Sequence, residues 1–112
     1  MSARRPIDLQ PHHRAIVQSL LAALRGPLGE VRVYGSRAAG IAKPGSDLDL
    51  VIFPPISPSQ LDWLRLALED SALPFNVDLI RYESIDSPSL RSDIDQTARS
   101  LFPARPNRKI LP

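Results

Sequence analysis

Apolar residues along this chain switch between two spacings, and the switches mark its elements. Ile16, Val17, Leu20, Leu21 and Leu24 recur at intervals of three and four, which puts them on one face of a helix. Pro11 fits the first turn of that helix, where its missing N–H costs nothing, and Gly26-Pro27 stops it, so a helix is predicted over about residues 11–25. From Glu30 to Tyr34 the interval falls to two: Val31 and Val33 alternate with polar neighbours and run into Gly35, as a strand ending in a tight turn does. Asp47 to Phe53 reads as a second, more buried strand, closed by Pro54-Pro55. Ser57-Pro58-Ser59-Gln60 has the form of a capped helix start, and Leu61, Leu64 and Leu68 line the buried face of a helix that ends by Pro74. Phe75 to Tyr82 alternates again, with Phe75, Val77 and Leu79 on one side and Asp78 and Ile80 on the other. Ser87-Pro88 repeats the capped start, and Leu90, Ile94, Ala98 and Leu101 follow at helical spacing until Pro103.

The order is helix, strand, turn, strand, helix, strand, helix, which predicts a small α/β domain: a mixed sheet of about three strands flanked by about three main helices. The domain is expected over residues 11–103, with an N-terminal tail over 1–10 and a basic C-terminal tail over 104–112. A chain of 112 residues supports one core with a thin stability margin, compatible with a homo- or hetero-oligomer. The net charge is +2, yet the basic excess sits at the ends, and residues 15–103 hold eight basic against eleven acidic side chains. Direct nucleic-acid binding is therefore not expected. The absence of cysteine excludes disulfides, thiolate metal sites and cysteine nucleophiles. No apolar run approaches the roughly 18 residues of a membrane span, and the N-terminus lacks a signal peptide's apolar core, so no membrane association and a cytoplasmic location are expected.

Two features that could carry chemistry stand close together: Gly35-Ser36 after the first strand and Asp47-Leu48-Asp49 at the start of the second. Residues two apart on a strand point to the same face, so Asp47 and Asp49 are expected side by side, about 6.5 Å apart along the backbone. Asp93-Ile94-Asp95 has the same spacing in a predicted helix, where positions two apart diverge by about 200°, so that pair is expected to be solvated surface. If the third strand neighbours the second, Asp78 joins Asp47 and Asp49 on one face. Carboxylates about 6 Å apart repel by roughly 3 kcal/mol at an effective dielectric of about 20, so three ionised groups call for protons or a cation. All-oxygen ligands favour a hard divalent ion such as Mg²⁺ or Mn²⁺, commonly held by one or two carboxylates together with substrate phosphates. Gly35-Ser36 leads into Arg37-Ala38-Ala39-Gly40, which can form one short helical turn with open backbone N–H groups suited to phosphate. By itself that dipeptide reads more plainly as an ordinary strand-to-helix turn, and it is not a Walker loop, since the Gly-Lys-Ser/Thr ending is absent.

Taken in order, Gly35-Ser36-Arg37-Ala38-x-Gly40, six residues, Asp47-Leu48-Asp49-Leu50, a helix and then Val77-Asp78-Leu79 resemble the minimal nucleotidyltransferase family of the polymerase-beta-like superfamily, over roughly residues 13–102. Small bacterial members of that family are often antitoxin halves of pairs with HEPN-domain toxins. The resemblance implies that Gly35 and Ser36 hold the β- and γ-phosphates of a nucleotide, with Arg37 and Ser46 in the same nucleotide-binding set. It implies Mg²⁺ or Mn²⁺ on Asp47 and Asp49, with Asp78 completing the metal site and helping to deprotonate the acceptor hydroxyl. The activity it implies is transfer of a nucleoside monophosphate, AMP from ATP, to a tyrosine of a cognate HEPN-type toxin. The alternative is a binding module that neutralises its partner by contact alone. The chain departs from the family at Ala39, where members often carry Arg.

The remaining candidates are weaker. His12-His13 opens the first helix, where adjacent histidines are usually exposed, and no clustered ligand completes a zinc set. Trp63, off the Leu61/Leu64/Leu68 line, is expected at the edge of the core, with a partner surface as the alternative. Tyr34 and Tyr82 end strands near the supposed site, which is common without function. Arg37 and Lys43 each read as solvated or phosphate-facing.

Overall fold

Each alternating segment becomes a strand and each capped segment a helix in the computed structural model, which describes residues 5–101. The elements are α1 (Pro11–Ala23), β1 (Val31–Tyr34), α2 (Gly35–Ala39), β2 (Leu48–Ile52), α3 (Pro58–Glu69), β3 (Val77–Arg81), a 3₁₀ turn (Tyr82–Ser84), α4 (Pro88–Thr97) and β4 (Arg99–Ser100). The capping box at α3 forms in full: the Gln60 amide N–H donates to Ser57 Oγ at 3.1 Å, and Gln60 Oε1 accepts from the Ser57 N–H at 2.8 Å.

The strands lie in the order β3-β2-β1-β4, with β2 and β3 parallel and the β1–β2 and β1–β4 pairs antiparallel. Side chains alternate across the sheet and sort into two packed faces. Val31, Val33, Leu48, Leu50, Ile52 and Leu79 meet Val17 and Leu21 of α1 and Leu61, Leu64 and Leu68 of α3. On the opposite face Tyr34 and Val51 pack with Ile85 and with Ile94 of α4. Each such fully buried aliphatic side chain stabilises the fold by about 1.5–3 kcal/mol. α3 packs along one side only, so Trp63 is 43 % exposed and lies on its outer surface with Leu66 rather than at the core edge.

The C-terminal segment corrects the sequence reading. The spacing of Leu90, Ile94, Ala98 and Leu101 predicts one helix to Pro103, but α4 ends at Thr97 and Arg99–Ser100 pairs with β1 as a fourth strand. Leu90, Ile94 and Ala98 belong to one face of the sheet and Leu101 to the core of the other. A single helix cannot serve both faces, and the chain turns extended at Ala98 (φ −65°, ψ 143°). Residues 5–10, placed by sequence in the N-terminal tail, form a strap on the domain. Leu9 is buried, the Asp8 N–H donates to the Arg37 carbonyl at 2.8 Å, and the Asp8 carboxylate accepts from the Ala42 N–H at 2.8 Å. The strap passes so close to the end of α2 that a Cβ on Gly40, whose φ is 74°, would lie 2.5 Å from Arg5 Cβ. Residues 1–4 and the predicted tail 104–112 lie outside the described residues. No helix among the described residues is long and apolar enough to cross a membrane.

Candidate active site

The sheet register brings the acidic residues together. β1 runs antiparallel to β2 and ends where β2 begins, so Tyr34 stands opposite Asp49. β3 runs parallel to β2, so Asp78 stands opposite Asp49 on the other side. Tyr34, Asp49 and Asp78 thus form a row across three strands on one face, at strand spacings of about 4.8 Å. Asp47 lies one residue before β2, which starts at Leu48 rather than at Asp47 as the alternation predicts. Asp47 and Asp78 are exposed and Asp49 is half-buried, so the row is open to solvent at the sheet's end.

Gly35 starts α2 directly after Tyr34, with φ 77°, a conformation that L side chains rarely adopt. A Cβ at this position would lie 2.6 Å from Asp49 Oδ2, so the bare glycine lets the carboxylate lie against the turn. No side chain caps α2. Ser36 follows at the same turn, and the five-residue helix ends at Gly40.

Like charges dominate the electrostatics here. Burial, then the Asp78 and Asp47 carboxylates, push the Asp49 carboxyl above its ordinary value, and only Arg37 pulls it back. Burial and the flanking Asp78 and Asp49 charges push the Tyr34 phenol up to about 12, so it stays protonated at neutral pH. Among the described residues no three His, Asp or Glu side chains are drawn together closely enough to cage an ion by themselves. The donor set nevertheless suits a hard divalent cation: three carboxylates on one open edge, one of them destabilised by the others, with room for substrate oxygens to complete the shell. Asp78 also borders a cleft of about 800 Å³ along β3, lined in part by Gly45, Arg65, Glu69, Phe75 and Asn76.

Arg37 is engaged with main chain. Its Nε and Nη2 donate to the Ser46 carbonyl at 3.1 and 2.7 Å, its Nη1 donates to the Asp8 carbonyl at 2.6 Å, and the Phe75 ring lies 4.1 Å from its guanidinium carbon. Ser46 is therefore held by its carbonyl, directly before Asp47. Sequence reasoning missed Asp8 and Phe75 as partners of Arg37 and gave Tyr34 no role. Only Tyr34 carried a usable signal, its position directly before Gly35 at the end of a strand.

The second acidic pair stays apart from the site, as expected: Asp93 and Asp95 are exposed on α4, and Asp95 Oδ1 accepts from the Tyr82 hydroxyl at 2.7 Å. His13 stands edge-on to Phe75 at 5.3 Å, and His12 is exposed.

Residues 14–100 match the family described as nucleotidyltransferase domain. The chain belongs to the nucleotidyltransferase domain family. This nucleotidyltransferase is 39 % identical over 85 residues to the probable protein adenylyltransferase MntA of Haemophilus influenzae, covering 71 % of each chain. Among solved structures it resembles a candidate minimal nucleotidyltransferase at 31 % identity, with TM-score 0.62 and coverage of 88 % of this chain and 98 % of that one. Its fold also matches a toxin–antitoxin complex with AMP-PNP (TM-score 0.64, 22 % identity, 82 % and 74 % covered). A third match is a complex of a tri-AMPylated Shewanella oneidensis HEPN toxin with an MNT antitoxin (TM-score 0.57, 20 % identity, 81 % and 70 % covered). The expected fold class and family are both borne out.

Proposed function

We propose that this nucleotidyltransferase is a Mg²⁺-dependent protein adenylyltransferase that acts as an antitoxin, moving AMP from ATP to a tyrosine hydroxyl of a HEPN-type toxin. The observation that carries the reading is the row Asp49–Asp78, with Asp47 beside it, set against the Gly35–Ser36 turn. In this reading the turn and Ser36 receive the β- and γ-phosphates, and Asp47 and Asp49 would hold the ion, which would offset their charge and supply electrostatic stabilisation at the α-phosphoryl group. The acceptor oxygen forms a bond to the α-phosphorus, the bond from that phosphorus to the bridging oxygen breaks, and pyrophosphate leaves. Asp78, exposed at the cleft, receives the hydroxyl proton. Catalysis of this kind consists mainly of positioning and charge neutralisation, which a three-carboxylate edge facing a phosphate turn is suited to supply. The MntA relative and the AMPylated toxin complex support the acceptor class.

Asp78→Asn tests the assignment. Nucleotide affinity should stay within about twofold, because Asp47 and Asp49 remain, while AMP transfer to the partner falls by about a hundredfold or more, the usual size of a general-base contribution. Transfer and toxin neutralisation are measured on the same variant. Full neutralisation without detectable transfer would reassign the chain to contact inhibition, the binding-module reading.

A further inference from the structure

We infer that Arg37 is a positioning residue that sets the metal-binding carboxylates from behind rather than a ligand of the nucleotide, an inference that rests on the nucleotidyl-transfer reading above. Arg37 is 8 % exposed, the one buried charged side chain among the described residues. Its planar fork closes on the Ser46 carbonyl with two N–H groups, and Ser46 is the residue directly before Asp47. Its third engaged donor holds the Asp8 carbonyl, and Asp8 in turn fastens the loop after α2 by accepting from the Ala42 N–H. Beneath the guanidinium lies Phe75, three residues before Asp78. Arg37 itself stands two residues after Gly35. One cation therefore touches each segment that carries a site residue: the phosphate turn, the loop into β2 and the approach to β3.

The chemistry of the contact explains why arginine occupies the position. A guanidinium offers several donors in a rigid plane and stacks on an aromatic face, whereas an ammonium is a compact charge that cannot grip one carbonyl twice, reach a second and stack at once. A buried cation with carbonyl partners resists any motion that would leave it unsatisfied, so Ser46 is pinned where an exposed loop would otherwise be mobile. The Arg37 charge also reaches Asp49, where it is the one influence favouring the ionised carboxylate.

The test uses the full chain as wild type, Arg37→Lys and Phe75→Leu. Two quantities are measured: calorimetric affinity for AMP-PNP with and without Mn²⁺, and amide hydrogen exchange. In Arg37→Lys the metal-free affinity should stay within about twofold, because the guanidinium is spent on the Ser46 and Asp8 carbonyls and the Phe75 ring rather than on the phosphates. The increment supplied by Mn²⁺ should fall about tenfold, and exchange in residues 43–49 should quicken about tenfold while β1 and α3 keep their protection. Phe75→Leu should move both readouts the same way, by less. A metal-free affinity that falls as far as the Mn²⁺-supported one, with exchange in 43–49 unchanged, overturns the inference in favour of a direct phosphate ligand. If Arg37→Lys loses protection throughout, Phe75→Leu decides, and a wild-type metal response and wild-type exchange in it overturn the inference. A wild-type chain that binds AMP-PNP neither with nor without metal removes the nucleotidyl-transfer reading instead, and exchange of 43–49 in Arg37→Lys still decides whether Arg37 pins the loop.

Discussion

Asp47-Leu48-Asp49 and Asp93-Ile94-Asp95 are the same pattern twice, and the fold uses them in opposite ways. In both, the central apolar residue is completely buried, Leu48 beneath α1 and α3 and Ile94 against Tyr34 and Val51. What differs is the backbone. At the start of β2 the extended chain sends Asp49 to the sheet face shared with Asp78, and burial together with both neighbouring carboxylates lifts its proton affinity. On α4 the helical turn spreads Asp93 and Asp95 apart on the solvent side, where Asp95 takes a hydrogen bond from Tyr82. Ile94 even packs on the very face that carries Asp49, so proximity alone does not make a site. Carboxylates gather here because a sheet register forces them together and the bare Gly35 lets Asp49 lie against the turn.

The largest effect should come from neutralising each pair in turn. Asp47→Asn with Asp49→Asn should lower AMP transfer by about a thousandfold or more, since the ion's neutralising charge is worth several kcal/mol to the transition state. Asp93→Asn with Asp95→Asn should leave the rate within about twofold. Comparable losses in the two double variants would end the distinction. The buried centres should behave alike: Leu48→Ala and Ile94→Ala should each cost about 2–4 kcal/mol in denaturant unfolding, since each leaves a cavity in a packed face. Gly35→Ala should come next, losing about 1–2 kcal/mol of stability because an L side chain is forced to positive φ. It should also weaken AMP-PNP binding by pressing on Asp49, and unaltered affinity would give the turn a purely structural role.

Much of this was legible in the sequence, because the relevant information is local. Period-two alternation located β1, β2 and β3 within one or two residues, and the serine–proline starts located α3 and α4, since capping is decided within a single turn. Asp47, Asp49 and Asp78 could be nominated from spacing because strand geometry repeats every two residues. What escaped was decided across the chain. Leu101 keeps helical spacing from Ile94 yet belongs to the other face, and a two-residue edge strand has no periodicity of its own. Arg37 pointed to phosphate by its neighbourhood, but its partners Asp8, Ser46 and Phe75 are up to 38 residues distant in sequence, and no local rule joins them. Asp8 precedes the first element and so carried no pattern at all.

The smallest effect sharpens the comparison through its sign. Asp49 binds its proton more tightly in the folded chain than at the ordinary value of 3.8, owing to burial, Asp78 and Asp47. Between that value and the raised one the native state holds more protons than the unfolded state, so stability falls as pH rises through the window and stays lowered above it. Asp49→Asn removes the burden. Without metal or nucleotide, it should melt at the same temperature as wild type near the acid end of the window and pull ahead as pH rises. Above the window it should level off roughly 2–4 °C higher, the size of one relieved like-charge contact in a domain of this length. Asp95→Asn should shift the other way, a slight loss, because it leaves the Tyr82 hydroxyl a weaker, neutral acceptor and relieves no repulsion. Thermal melts of both variants across pH 4–8 measure this, and a wild type as stable as Asp49→Asn at pH 7 would contradict the crowding of charge at the site. On the proposed reading, the substitution that removes a metal-holding carboxylate should thus strengthen the fold, the trade of stability for activity that such a site implies.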